Sequence, residues 1–147
     1  MALQRMDNVG IVVEDLDAAI AFFVELGLTL EGSKMRIDGD WAARIVGLPG
    51  NTVDIAMLRT PDGHSRLELM QYVSPPAVHT TPQLAPANAL GIRRIMFAVD
   101  DLEGTLARLR KHGAELVGEV ADYEDVYRLC YLRGPEGIML ALAQKLR

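Results

Sequence analysis

The sequence predicts an α+β fold built from two tandem copies of a βαβββ unit. Three observations carry that prediction. One residue pattern occurs twice, each copy makes the same strand-to-helix transition at the same place, and a proline-rich stretch lies between the copies. The first copy opens "DNVGIVVEDLDAAIAFFVELGLTLEG" (Asp7 to Gly32) and the second "RRIMFAVDDLEGTLARLRKHGAELVG" (Arg93 to Gly118). With Asn8 set on Arg94 the stretches align without a gap. Val13 then meets Val99, Asp15 meets Asp101, Leu16 meets Leu102 and Gly27 meets Gly113. The correspondence returns later, as "LRTPDG" (Leu58 to Gly63) answers "LRGPEG" (Leu132 to Gly137) and "LELMQ" (Leu67 to Gln71) answers "LALAQ" (Leu140 to Gln144). Two copies of about 70 residues make an internal duplication rather than a solenoid.

Each unit begins with a strand, in which Val9, Ile11 and Val13 alternate with Asn8, Gly10 and Val12. Asp15 is placed to cap a helix that carries Leu16, Ile20 and Phe23 on one face, and Gly27 can end it in a left-handed conformation. The second copy repeats the device with Asp101, then Leu102, Leu106 and Leu109, then Gly113. A strand near "LTLEG" or "AELVG" follows each helix, and two more strands are joined through the Pro-Asp-Gly or Pro-Glu-Gly turn. Module one spans 1–73 and module two 90–147. Between them the connector 74–89 holds four of the seven prolines, which interrupt ladder pairing. The whole chain, 1–147, reads as one domain made of these parts.

Composition narrows the function classes. The net charge is −5 across 147 residues. Nucleic acid is therefore excluded as the main partner, because phosphate neutralisation needs a basic face. No apolar run approaches the roughly 20 residues of a bilayer span, and "MALQRMDN" lacks a signal-peptide core. No membrane partner and a cytoplasmic location are the expectations. The single cysteine, Cys130, lies in the apolar run "VYRLCYL" and reads as a buried, inert thiol.

A helix packed on a sheet claims the apolar face of each strand, so the alternate residues point the other way. That second face collects Asn8, Gly10, Val12, Arg66, Glu68 and Met70 in module one. In module two it collects Arg94, Met96, Ala98, Met139, Ala141 and Ala143. An apolar surface with a few converging polar groups is the usual make-up of a ligand cavity, and the competing reading is a second core layer. Trp41, in the short helical insertion "GDWAARIVGLPG", is either a lid over that cavity or a packing anchor. Tyr127 and Tyr131 share a strand face, but the sequence does not say which one. The same holds for Asp54 and Arg128, which occupy equivalent places in the two copies.

The stretches "DNVGIVVEDLDAAIAFFVELGL", "TPDGHSRLELMQY", "MFAVDDLEGTLARLRKHGAEL" and "RGPEGIMLALAQ" resemble, in this order, the vicinal oxygen chelate superfamily. That group includes glyoxalase I, methylmalonyl-CoA epimerase, extradiol dioxygenases, and fosfomycin- and bleomycin-resistance proteins. The resemblance covers nearly the whole chain. It implies an eight-stranded, cup-like half-barrel with helices outside, a small-molecule ligand in the cup, and a homodimer. It does not fix an activity, since one scaffold hosts many functions.

Metal-dependent members of that superfamily hold a divalent ion through the first and last strand of each module. By resemblance those slots fall on Asn8 and Arg94, where histidine is usual, and on Glu68 and Ala141, where glutamate is usual. Only Glu68 keeps a ligand. Asparagine is a weak neutral donor, alanine supplies nothing, and arginine brings a fixed positive charge. A cation about 4 Å from a guanidinium meets several kcal/mol of repulsion at an effective dielectric of about 20. The expectation is therefore no metal cofactor. A small apolar or anionic metabolite or drug would be bound by Asn8, Arg66, Glu68, Met70, Arg94, Met96, Ala141 and Trp41, as bleomycin-resistance proteins bind without altering their drug. The alternative is a lyase-, epimerase- or dioxygenase-like enzyme for a small oxygenated metabolite, with Glu68 as catalytic base and Arg94 stabilising developing negative charge. A third reading is a degenerate module with only an assembly role.

Overall fold

The structure, a computed structural model, describes residues 2–80 and 84–147. Of the connector expected over 74–89, residues 81–83 lie outside the described residues. The chain divides into two compact units, Met1–Val78 and His79–Arg147.

Unit one runs β1 (Val9–Val12), α1 (Leu16–Leu26), β2 (Thr29–Asp38), α2 (Asp40–Val46), β3 (Thr52–Arg59) and β4 (Arg66–Ser74). Its open sheet has the order β1-β4-β3-β2, with β1 parallel to β4 and the other pairs antiparallel. Unit two runs β5 (Arg94–Val99), α3 (Leu102–Arg110), β6 (Glu115–Leu116), β7 (Ala121–Tyr123), β8 (Tyr127–Arg133) and β9 (Met139–Lys145). Its order is β5-β9-β8-β6, with β7 also paired to β8 and β5 parallel to β9. The βαβββ plan thus holds in each unit, within an α+β chain of a four-stranded and a five-stranded sheet. The extra strand arises because β6 stops after two residues. Val117 still donates to the Tyr131 carbonyl at 2.9 Å, and ladder pairing resumes only at Ala121.

Both helices begin in the same way. Asp15 Oδ1 accepts from the Ala18 amide at 3.0 Å, and Asp101 Oδ1 accepts from the Gly104 amide at 3.0 Å. These are side-chain caps on amides that the helix itself leaves without partners. A second acceptor comes from the last strand of each unit. The Leu16 amide donates to Gln71 Oε1 and the Leu102 amide to Gln144 Oε1, both at 2.8 Å. The helix ends match as well. Leu28 N bonds back to Phe23 O and Ala114 N to Leu109 O, across Gly27 and Gly113 at φ 130° and 91°. In α3 the regular ladder stops earlier than the glycine suggests, at Arg110, with Lys111 as the last near-helical residue.

The helix faces form the cores. In unit one Leu16, Ala19, Phe22 and Phe23 are buried with Ile11, Ala56, Leu58, Leu67 and Leu69. In unit two Leu102, Leu106 and Leu109 are buried with Cys130, Leu132, Leu140 and Leu142. Each buried leucine, isoleucine or phenylalanine among these contributes about 1.5–3 kcal/mol when removed from water. Burial also pushes the Cys130 thiol above its ordinary pKa, so it remains a thiol at neutral pH.

Asp54 is the Cα partner of Gln71, and Arg128 that of Gln144, so both lie on the helix side of their sheets. Each is ion-paired to a neighbouring strand: Asp54 to Arg36 at 2.8 Å and Arg128 to Asp122 at 2.8 Å. The two copies thus carry the same pair with its charges exchanged. Hydrogen bonding from the arginine holds each aspartate below its usual 3.8.

Two outcomes are expected. Gln71→Met or Gln144→Met keeps the side-chain length but strands a helix amide, and should cost about 1–3 kcal/mol in urea unfolding. Gln71→Glu, which keeps an acceptor, should cost less. Asp54 and Asp122 titrate lower in the folded state, so their contribution is fully present above the ordinary carboxylate value and is lost as pH falls from there through the lowered folded-state value. The double variant D54N/D122N should therefore be less stable than the parent at about pH 7, and the deficit should shrink at about pH 3. Parallel urea midpoints at the two pH values read this directly.

Candidate functional site

Strand register assigns the residues opposite each helix. In unit one Gly10, Glu68 and Met57 form one row across β1, β4 and β3, and Val12, Met70 and Ile55 form the next. These rows alternate with the buried Leu67 and Leu69, so Glu68 and Met70 stand on the face away from α1. Gly10 makes room there: a Cβ on it would come within 2.9 Å of Met70 Cε. Among the described residues of its unit, Glu68 has no hydrogen-bond or ion-pair partner for its carboxylate.

Asn8 and Arg66 meet at the edge of this face through a residue that sequence reasoning passed over. Asp7 Oδ2 accepts from Arg66 at 3.1 Å and from Asn8 Nδ2 at 3.3 Å, while its other oxygen accepts from Arg5. Arg66 also lies 3.7 Å from Glu31. The bond from Arg5 and the nearby charge of Arg66 lower the pKa of Asp7. The Arg66 guanidinium is thus largely taken up by carboxylates of its own unit. Trp41 stands on α2 with 59% of its surface exposed.

In unit two Arg94 and Met139 pair at the start of the face, followed by the row Met96, Ala141 and Tyr131, then the row Ala98, Ala143 and Leu129. The Arg94 guanidinium carbon lies over the Tyr131 ring, 5.1 Å from its centroid. This resolves the side that the alternation of β8 left open. Tyr127, Leu129 and Tyr131 look away from α3, whereas Cys130 and Leu132 are buried in the core. Ala141 lies on the same face with 0% exposure, as floor beneath its neighbours. Arg133, on the row of Met139, spends its guanidinium on the carbonyls of Gly137 at 3.1 Å and Ala85 at 2.8 Å. The Arg94 side chain has no carboxylate partner among the described residues of its unit.

The residues at the four ligand positions do not fit a divalent ion. Ala141 is a buried methyl group without a donor atom, Arg94 is a cation resting on an aromatic ring, and Asn8 already donates to Asp7. Glu68 alone offers a suitable oxygen. Among the described residues, no three His, Cys, Asp or Glu side chains group as a metal set.

Duplicated βαβββ units, each with a helix on one face of its sheet and a mixed apolar–polar face on the other, define the class of fold. The family model of the glyoxalase/bleomycin resistance protein/dioxygenase superfamily matches residues 7–131. The chain belongs to this superfamily. It is similar to a solved glyoxalase family protein from Bacillus cereus, with 55% identity, a TM-score of 0.94, and 100% of this chain and 99% of that one covered. It is also similar to the uncharacterized protein YwbC of Bacillus subtilis, 26% identical over 97% of this chain and 98% of that protein. The uncharacterized protein YaeR of Escherichia coli is 24% identical, with 99% of each chain covered.

A cation resting on a ring at an exposed site contributes about 0.5–1 kcal/mol. A double-mutant cycle of Arg94→Met and Tyr131→Leu, read by chemical unfolding, should return a coupling of about that size. A coupling indistinguishable from zero would mean that the two side chains do not act together.

Proposed function

We propose that this protein binds a small apolar or anionic molecule, a metabolite or drug, on the face that carries Arg94, and that it does so without the superfamily's divalent metal. The observation that supports this reading is the state of Arg94. Its guanidinium carbon lies 5.1 Å from the centroid of the Tyr131 ring, it has no acid partner among the described residues of its unit, and its neighbours on the face are Met139 and Met96. A guanidinium braced on a ring keeps its N–H edge for a carboxylate or phosphate, which it binds through two parallel hydrogen bonds.

A second reading rests on Glu68. A carboxylate with no partner among the described residues of its unit, beside Gly10, Met57 and Met70, has the setting of a general base. In that case the protein is a lyase-, epimerase- or dioxygenase-like enzyme acting on a small oxygenated metabolite, and Glu68 removes a proton from it.

Metal content and ligand screening separate the two. Protein purified without chelator should hold far less than one equivalent of Ni, Zn, Fe, Mn or Co, and a thermal-shift screen of anionic metabolites should give hits that Arg94→Ala abolishes. A stoichiometric metal that supports turnover lost in Glu68→Gln would replace the binding reading with the enzymatic one.

A further inference from the structure

The chemistry around Arg94 says more about its ligand than its charge, and this step rests on the binding reading just given. We infer that the unit-two face selects planar aromatic carboxylates over saturated ones. A carboxylate that engages a guanidinium through two parallel N–H bonds lies in the guanidinium plane. The Arg94 guanidinium carbon lies 5.1 Å from the centroid of the Tyr131 ring, so a carboxylate held by Arg94 brings its substituent beside that ring. An aromatic acid has its ring conjugated with its carboxylate, so it carries a flat π surface next to the tyrosine. A saturated ring on the same carboxylate offers no π face to the tyrosine or to a methionine sulfur.

The surface along that path suits a flat occupant. Beyond the row of Met96, Ala141 and Tyr131 come Ala98 and Ala143 side by side, with Leu129 next to them on β8. Ala98 and Ala143 are small, and Met96 and Leu129 rise beside them. Methionine sulfur and tyrosine rings both make favourable contacts with aromatic groups. Met96 keeps 45% of its surface exposed, so it can turn against a ligand. The only other arginine on these rows, Arg133, is held by two backbone carbonyls, which leaves Arg94 to set where the carboxylate sits. One anionic group and one flat apolar body is the ligand this arrangement fits.

The test uses three probes on the full chain, by isothermal titration and by amide chemical-shift mapping. The probes are 2-naphthoate, its saturated counterpart decahydro-2-naphthoate, and 2-naphthamide, which is planar but neutral. The saturated acid is the more hydrophobic of the two anions, so nonspecific apolar burial would favour it. The expected result is that 2-naphthoate binds about tenfold tighter than either other probe, with shifts concentrated in β5, β8 and β9. Tyr131→Leu should bring the two anions to within about twofold of each other, and Arg94→Ala should weaken 2-naphthoate by about tenfold or more. Equal affinity of the two anions, both sensitive to Arg94→Ala, would overturn the aromatic selectivity and leave anion binding standing. Affinity for 2-naphthoate that Arg94→Ala does not change would overturn both. Failure of 2-naphthoate to bind would overturn the selectivity inference outright.

Discussion

One hydrogen bond, made twice, sets the geometry on which the rest depends. A glutamine near the end of the last strand of each unit gives its amide oxygen to the first amide of the helix, Gln71 to Leu16 and Gln144 to Leu102. An amide at a helix start has no partner within the helix, so its acceptor must come from outside. Placing that acceptor on the strand fixes which side of the strand faces the helix. Glu68 and Ala141 each lie three residues earlier, and an odd offset along a strand reverses the face. The same bond that starts the helix therefore turns these two positions, and the rows that include them, away from the core.

What stands on those faces differs sharply between the copies. Unit one offers a carboxylate without a partner among the described residues of its unit, and it neutralises its arginine at the edge through Asp7 and Glu31. Unit two offers a cation, 5.1 Å from the centroid of an aromatic ring and beside Met96 and Met139. Duplication supplied two equivalent scaffolds, and side-chain replacement has made them chemically opposite. The superfamily's metal chemistry asks for four oxygen or nitrogen donors, and a buried methyl group with a permanent cation cannot supply two of them.

Much of the fold was legible because its signals are local and stated twice. Strand alternation, an aspartate before each helix and a glycine after it specify the elements without any distant contact, and those at Asp15, Asp101, Gly27 and Gly113 act as their positions suggest. The glutamines were visible in the repeat as "LELMQ" and "LALAQ", but their partners lie 55 and 42 residues away, and no local rule points to them. The side of Tyr131 was hidden for a similar reason. Alternation groups Tyr127 with Tyr131, yet only the register of β8 against β9 says that this group faces Arg94 rather than the core. Asp7 escaped notice because it precedes the first strand, and its role comes from Arg66 across the sheet. The interruption between β6 and β7 had no signal beyond Gly118, which reads equally well as a turn or a bulge.

The exchanged ion pairs bear on how such a duplication persists. Arg36 faces Asp54 on one sheet, and Asp122 faces Arg128 on the other. A crossover between the two halves of the gene that fell within this hairpin would join the first strand of one copy to the second strand of the other. The hybrid would oppose arginine to arginine or aspartate to aspartate, and directly opposed like charges on paired strands are destabilising. Recombination that tends to make duplicated halves identical is thus penalised at this point, which protects the freedom of each half to keep a chemistry of its own.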